Sequence, residues 1–166
     1  MDTVLIIIGY IVDKVQRLNI VALRRYKTNL FKKRINPNIN HIGGGTTWND
    51  INHISIGDNT YINGAELLTT EDSRIVIGAS CLISYDVVIR TDMHKHDYMK
   101  PIIEQGNMAK DIVIGDNVWI GHGVYIMPGV TIGNNSIIGA KAVVTKSIPA
   151  DSIAVGIPAK VVKSRK

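Results

Sequence analysis

The chain has 166 residues, of which 45% are hydrophobic and 20% charged, and its net charge is +5. This length favours one domain with an ordinary apolar core, and the single cysteine, Cys81, excludes an internal disulfide framework and a multi-cysteine zinc site. The basic balance favours an anionic partner such as a phosphorylated cofactor, a membrane surface or nucleic acid.

The N-terminal segment, residues 1–50, lies outside the pattern that follows it. Val4 to Leu30 has apolar residues at helical spacing, and Lys14 to Arg34 contains eight Lys or Arg residues and no Asp or Glu. The apolar run lacks a basic start and a cleavage site and is too short to span a bilayer, so we expect no signal peptide. Two roles stay open: a cap or subunit contact, or contact with an anionic membrane surface. The expected compartment is a reducing cytoplasm, with or without peripheral contact at the inner face of the membrane.

Residues 51–153 carry a period of six. Every sixth residue from Ile114 to Val144 is Ile or Val, and the same spacing links Ile56 to Ile62 and Ile77 to Ile89. The fifth position of each unit is small or branched: Val118, Val124, Val130, Ser136, Ala142 and Ile148. This period predicts short parallel strands joined by tight turns, with the Ile and Val side chains stacked inside. Gly, Asn and Asp supply the turns, as in Gly57–Asn59 and Gly115–Asn117.

Two interruptions break the count, one between Ile62 and Ile77 and a longer one between Ile89 and Ile114. Insertions in a stacked repeat must loop out onto the surface, where functional residues concentrate. We therefore expect an extended loop near residues 93–111, and its first part contains two histidines, His94 and His96.

Three segments extend beyond a bare repeat: Ile114–Gly121, Ile138–Lys146 and Ala154–Lys160. They resemble the hexapeptide-repeat acyltransferases, and within that family the sugar O-acetyltransferase branch of galactoside, maltose and polysaccharide acetyltransferases. The resemblance implies an all-β, left-handed parallel β-helix over residues 51–153, a short helical N-terminal segment and a basic tail, 154–166, that contributes to a coenzyme A site. It also implies acetyl transfer from acetyl-CoA to a sugar hydroxyl of a surface polysaccharide, an oligosaccharide or a precursor.

Acetyl transfer to a hydroxyl needs a general base, and histidine is the usual choice. In the family the catalytic histidine lies five residues after an inward aliphatic residue, at the root of an extended loop. Here that position is His94, five residues after Ile89. A shift in the repeat phase would favour His96 instead. Asp92 or another carboxylate would orient the imidazole.

The resemblance implies roles for further residues near the reacting atoms. The backbone N–H of His122 would stabilise the oxyanion, and Asn63 would lie near the thioester and the acceptor. Asp72 and Asp92 would bind acceptor hydroxyls. The alternatives are a turn asparagine at position 63 and solvated loop carboxylates.

The resemblance also implies a donor site and an assembly. Acetyl-CoA would contact one set of residues: Trp119, Ala140, Thr145, Lys146, Lys160 and Lys163. The chain would form a homotrimer with its sites between subunits, and Trp119 could line that interface instead. Cys81 occupies an inward position of the repeat, which predicts direct transfer without an acyl-enzyme.

Other functions fit the sequence less well. An N-acetyltransferase for a nucleotide-linked amino sugar and a non-catalytic β-helix scaffold remain alternatives. A zinc carbonic anhydrase needs three converging imidazoles, and Asn117 stands where such enzymes have a histidine, so we expect no metal. The cations lack interleaved aromatic residues, so we expect no nucleic-acid partner.

Overall fold

The computed structural model describes residues 2–97 and 99–166, apart from the side chains of positions 2–6 and 9. Met1, in the predicted N-terminal segment, and Tyr98, in the predicted loop, lie outside the described residues. The chain begins with one helix, α1 (Asp2–Arg34), which is 33 residues long and so is not the short segment expected.

The end of α1 follows from its sequence. The N–H groups of Ile35 and Asn36 both donate to the carbonyl of Phe31, and Pro37 follows, which cannot continue a helix. Cations fill the last turn, Lys32–Arg34, where they face the negative end of the helix dipole.

The described residues after α1 form sixteen strands and two short 3-10 turns. The turns are Ile51–His53 and Ile102–Glu104. The strands are β1 His41–Ile42, β2 Thr47–Trp48, β3 Ile54–Ile56, β4 Tyr61–Leu68, β5 Ile75–Ile77, β6 Leu82–Arg90, β7 Asp92–His94, β8 Asn107–Ala109, β9 Ile112–Ile114, β10 Trp119–Ile120, β11 Tyr125–Ile126, β12 Thr131–Ile132, β13 Ile137–Ile138, β14 Val143–Val144, β15 Ser152–Val155 and β16 Lys160–Ser164.

The strands stack into a parallel β-helix with three faces, as the sequence predicted. Face 1 aligns β1, β10, β13 and β15 with the first halves of β4 and β6. Face 2 aligns β2, β11 and β14 with the second halves of β4 and β6. Face 3 aligns β3, β5, β9 and β12. The first coil already includes β1 and β2, which lie inside the N-terminal segment 1–50.

The core is the aliphatic column that the period predicts. The inward side chains of face 1 are 0–1% exposed at Ile62, Ile83, Ile120 and Ile138. The predicted fifth positions are buried as well, from Val118 to Ile148. Because each coil repeats the same inward residue types, the column continues from one coil to the next.

The three corners of the coil are corner one, between faces 1 and 2; corner two, between faces 2 and 3; and corner three, between faces 3 and 1. At corner three the chain turns at residues with positive φ: Asn59, Ser80, Asn117, Asn135 and Asp151. The preceding glycines pack closely, since a Cβ on Gly57 would lie 2.5 Å from the backbone nitrogen of Ala79. Asparagine therefore supplies the left-handed conformation and glycine the close approach.

The last third of α1 covers the open end of the first coil. Phe31 is fully buried and packs edge-to-face on Trp48, with ring centroids 4.8 Å apart. The Lys27 ammonium donates to the carbonyls of Gly44 and Thr46 and lies 5.4 Å from the Trp48 ring centroid. Partial burial lowers the pKa of Lys27.

At the other end, β16 runs antiparallel to β15. Arg165 donates to the carbonyl of Asn135 at 2.9 Å, and the Lys166 ammonium lies 2.9 Å from the Asp151 carboxylate. These contacts hold the basic tail against corner three. Among residues 2–97 and 99–166, no helix combines the length and apolarity needed to cross a membrane.

Candidate active site

The extended loop leaves the β-helix at corner two as an antiparallel hairpin. Strand β7 pairs with β8, so that Asp92 is opposite Ala109 and His94 is opposite Asn107. The hairpin is closed at its base, where the N–H of Lys110 donates to the carbonyl of Thr91 at 2.8 Å. The chain therefore resumes the coil close to where it left it, and the predicted loop over residues 93–111 is a strand-built projection.

Asp92 holds the root of this hairpin. Its carboxylate accepts hydrogen bonds from Arg90 Nε at 2.9 Å and Nη2 at 3.3 Å, and from Asn107 Nδ2 at 3.4 Å. This hydrogen bonding raises the pKa of the Arg90 guanidinium. Only 8% of Asp92 is exposed. Among the described residues no hydrogen bond joins Asp92 to His94, so this pairing favours a part for Asp92 in fixing the loop.

Arg90 and Asn107 were missed by sequence reasoning. A signal for Arg90 existed, because residues two apart in an extended strand project to the same side, and Arg90 and Asp92 have opposite charges. For Asn107 no such signal exists, since its place opposite His94 depends on the hairpin register.

His94 ends β7, and both His94 and His96 are exposed. Within the described part of the chain, neither ring makes a hydrogen bond or an ion pair. The ring nitrogens of His94 are therefore available for a substrate hydroxyl. His96 lies beyond the strand, where the backbone is irregular.

Corner one brings together Asn63, His122 and Ala140. Asn63 follows the inward Ile62, and His122 and Ala140 follow Gly121 and Gly139, which occupy the same place two and three coils further on. Neighbouring coils lie about 4.8 Å apart, so Asn63 is about 10 Å from the coil of His122.

The backbone at corner one is open at His122. The N–H of Gly121 donates to Ile138 and that of Gly123 to Tyr85, whereas among the described residues no acceptor takes the N–H of His122. Its exposed imidazole lies 3.7 Å from the Asp86 carboxylate, measured from Nε2 to Oδ2. A backbone donor with no acceptor of its own is what stabilisation of an oxyanion requires.

The outer surface of face 1 carries a shallow hollow of about 240 Å³ next to corner one. Its lining residues are Tyr61, Asn63, Leu82, Ile83, Ser84 and Trp119. Trp119 and Leu82 are 53% and 54% exposed. Asn63 therefore lies at the edge of an apolar surface.

The remaining predicted residues fall at three places. Thr145 and Lys146 are exposed at corner two, two coils beyond the loop root. Asp72 is exposed in the turn between β4 and β5, where the neighbouring Ser73 hydroxyl is 2.6 Å from that of Thr91. Lys160 and Lys163 lie on β16, opposite Val155 and Ile153, and both are exposed.

A single chain therefore divides the candidate residues between two corners. His94, Asp92 and Asp72 lie at corner two, and Asn63, His122 and Ala140 at corner one, with face 2 between them. Within the residues that the structure describes, no hydrogen bond or ion pair joins the two groups.

Cys81 is fully buried, and its thiol is 3.1 Å from the carbonyl oxygen of Gly115. Burial raises the pKa of this thiol. The inward position predicted from the repeat is thus confirmed, and a neutral buried thiol is poorly suited to act as a nucleophile.

Comparisons with known proteins agree with this architecture. Residues 111–146 match the family model for the bacterial transferase hexapeptide (six repeats). The galactoside O-acetyltransferase of Escherichia coli (strain K12) is 42% identical over 114 residues, which cover 67% of this chain. The chain spans about half the length of that relative, 54%.

Two solved structures are also similar. The maltose O-acetyltransferase from Clostridium difficile 630 is 34% identical with a TM-score of 0.60, and the match covers 72% of this chain and 69% of that one. The hexapeptide-repeat acetyltransferase VCA0836 from Vibrio cholerae O1 biovar eltor, complexed with acetyl-CoA, is 36% identical with a TM-score of 0.65. That match covers 72% of this chain and 64% of that one.

Proposed function

The chain belongs to the hexapeptide-repeat acetyltransferase family, and from this membership we propose that it transfers an acetyl group from acetyl-CoA to a sugar hydroxyl. The observation that carries the proposal is the combination of an exposed histidine on a fixed hairpin with an open backbone donor at corner one. The similar proteins named for galactoside and maltose acetylation support a saccharide acceptor.

In the proposed reaction His94 takes the proton from the acceptor hydroxyl while the oxygen of that hydroxyl attacks the thioester carbonyl carbon. The N–H of His122 donates a hydrogen bond to the carbonyl oxygen and stabilises the negative charge that develops there. As the carbon–sulfur bond breaks, the imidazolium of His94 returns the proton to the leaving thiolate. The acetyl group passes directly to the sugar, and the neutral buried thiol of Cys81 supports a route without an acyl-enzyme.

We assign the donor to the later coils. Ala140, at corner one, and the pair Thr145–Lys146, at corner two, bracket face 2 and would contact the pantetheine arm. The exposed ammonium groups of Lys160 and Lys163 would meet the phosphates, as cations do. Trp119 would contact the donor or a neighbouring subunit.

We assign the acceptor to Asn63, Asp72 and Asp92. Asn63 borders the hollow on face 1, and exposed Asp72 has a carboxylate available for sugar hydroxyls. Of these three residues, Asp92 has the least free capacity to bind the acceptor, because Arg90 and Asn107 already contact its oxygens. The corners are open, which suits an oligosaccharide or a surface polysaccharide as well as a small sugar. A coenzyme A donor and a lone buried thiol fit a cytoplasmic location.

We further propose a homotrimer in which the hairpin of one chain reaches corner one of its neighbour. This arrangement would join the two groups of residues that one chain keeps apart. The half-exposed Leu82 and Trp119 on face 1 supply an apolar surface for such contact.

The assembly can be tested by complementation. His94→Ala and Ala140→Trp would each remove one half of the site, and each homo-oligomer should be inactive. Co-expressed in equal amounts, they should recover about a quarter of wild-type sites, because a ring of heterologous contacts then pairs intact halves at random. Activity that stays at the level of the single variants would place both halves in one chain.

The activity is tested by thiol release from acetyl-CoA with free sugars, oligosaccharides and nucleotide-linked amino sugars. We expect release that depends on a sugar hydroxyl, is lost in His94→Ala and persists in His96→Ala. Loss only in His96→Ala would place the base two residues later. Release that depends only on the amino sugar would support N-acetylation. If the chain neither releases thiol with any of these acceptors nor binds acetyl-CoA, the result would support the non-catalytic scaffold instead.

A further inference from the structure

The first two thirds of α1 have an exposed apolar surface. All described side chains from Ile7 to Tyr26 are exposed, and eleven large apolar ones are 44–66% exposed: Ile7, Ile8, Tyr10, Ile11, Val12, Val15, Leu18, Ile20, Val21, Leu23 and Tyr26. Isoleucine, valine and leucine side chains in the β-helix core are 0–6% exposed. An apolar surface of this extent indicates an interaction site.

This surface is distinct from the one that caps the coil. The side-chain contacts to the first coil come from Lys27, Thr28 and Phe31, which share one side of the helix. Gly44 of the coil approaches the helix backbone at Ile20 and Arg24 on the same side. Ile8, Ile11, Val15, Leu18 and Ala22 recur every three or four residues and project to the roughly opposite side. Capping therefore leaves the apolar side facing away from the β-helix.

Cations accompany the apolar side chains. Ten successive residues, 3–12, carry no charge, and Lys14, Arg17 and Arg25 follow, all of them exposed. The one acidic residue among positions 3–34, Asp13, pairs with Arg17 at 2.9 Å. At about 1.5 Å per residue the uncharged stretch is about 15 Å long. The cations that follow lie further along the same helix, where they can meet lipid phosphates when the apolar side enters the membrane boundary.

We propose that α1 binds the surface of an anionic membrane, with its apolar side in the hydrocarbon boundary and its cations against the phosphates. A second copy of α1 fits less well. Its Ile8, Ile11, Val15 and Leu18 could form the seam of a helix pair, but Arg25 ends the seam, and Val12 and Leu23 would stay exposed beside it. The cations beside the seam would also repel each other. This binding does not depend on the proposed acetyl transfer.

The experiment is co-sedimentation of the full chain with phosphatidylcholine vesicles, alone or containing one quarter phosphatidylglycerol. We expect binding to the anionic vesicles that weakens in high salt. Removing two exposed cations, in Lys14→Ser/Arg25→Ser, should weaken it about 25-fold, since each cation contributes about a factor of five. The matched control, Arg74→Ser/Lys100→Ser, removes two exposed cations elsewhere and should bind as the wild type does.

The apolar side is tested in the same way. Ile8→Ser/Ile11→Ser should weaken binding by more than about tenfold, whereas Met99→Ser/Ile103→Ser, at 86% and 92% exposed loop positions, should not. No wild-type binding, or equal binding to neutral vesicles, would overturn the proposal. So would a changed oligomer mass of Ile8→Ser/Ile11→Ser with unchanged vesicle binding, which would assign the surface to a second copy.

Discussion

The coils of the β-helix and the hairpin that leaves them at corner two differ in the burial of their residues and in the contacts that hold them in place. In the coils each inward residue is repeated by the next coil, and face 1 keeps side chains such as Ile120 fully buried. In the hairpin the described residues from His94 to Asp97 are exposed, and its fixed points are few: the β7–β8 pairing and the contacts of Asp92. Coil residues should therefore determine stability, and hairpin residues should determine rate.

The largest effect should follow removal of the proposed base. His94→Ala should lower kcat by about 10²–10⁴-fold, the usual contribution of a general base. Its melting temperature should match that of the wild type, because the side chain is exposed. Activity assays and thermal unfolding of the same preparation check both parts. A stable variant with full activity would remove His94 from the mechanism.

Substitution of an inward coil residue should lower stability, in contrast to substitution of His94, which should lower the rate. Ile114→Ala, on the buried side of β9, should lower the free energy of unfolding by about 2–5 kcal/mol, from lost burial and a cavity. Its neighbour Val113 points outward and is 37% exposed, so Val113→Ala is the matched control and should cost about 1 kcal/mol or less. Urea unfolding measures both. Equal costs would contradict the inward column.

Substitution of Arg90, at the root of the hairpin, should lower kcat by an intermediate amount. Arg90→Ala removes two hydrogen bonds to the Asp92 carboxylate and one to its backbone carbonyl. The resulting displacement of His94 should lower kcat by about ten- to a hundredfold. Arg90→Lys keeps the charge without the forked contact and should recover part of that loss. The pH dependence of kcat should be unchanged in both variants, since the base remains. A shifted profile would mean that Arg90 acts on the chemistry itself.

Cys81→Ala should have the smallest effect on rate. If the Cys81 thiol were the nucleophile, its removal would abolish activity, whereas direct transfer leaves kcat essentially unchanged.

The same variant should change how stability depends on pH. Burial raises the pKa of Cys81 above its ordinary 9.0. Above the unfolded-state pKa the folded chain keeps a proton that the unfolded chain releases, so stability falls as pH rises there. The free energy of unfolding should therefore fall more steeply at alkaline pH for the wild type than for Cys81→Ala, as urea unfolding over a pH series would measure.

The coils could be predicted because each one carries its own signal. Ile120 and Ile138 are 18 residues apart, and every coil near them repeats the turn and the inward residue. The first coils were harder, since Ile42, Ile62 and Ile83 are separated by 20 and 21 residues. Those extra residues shift the count and hid β1 and β2 within the N-terminal segment.

The candidate site could be predicted only in part. The position of His94 follows from counting from an inward residue. Corner one follows in the same way, since Asn63 is one residue after the inward Ile62 and His122 is two residues after the inward Ile120. The partners of Asp92 depend on a hairpin register that no periodicity encodes. The helical spacing of Val4 to Leu30 indicated most of α1, whereas its description as a short segment was wrong, since the helix runs from Asp2 to Arg34.

If the coils hold the donor and the hairpin supplies only the base, acetyl-CoA should bind equally well to the wild type and to His94→Ala, which calorimetry measures. We expect the variant to bind acetyl-CoA with a Kd close to that of the wild type while its sugar-dependent thiol release is lost. Loss of donor binding together with activity would contradict it, because His94 would then belong to the donor site.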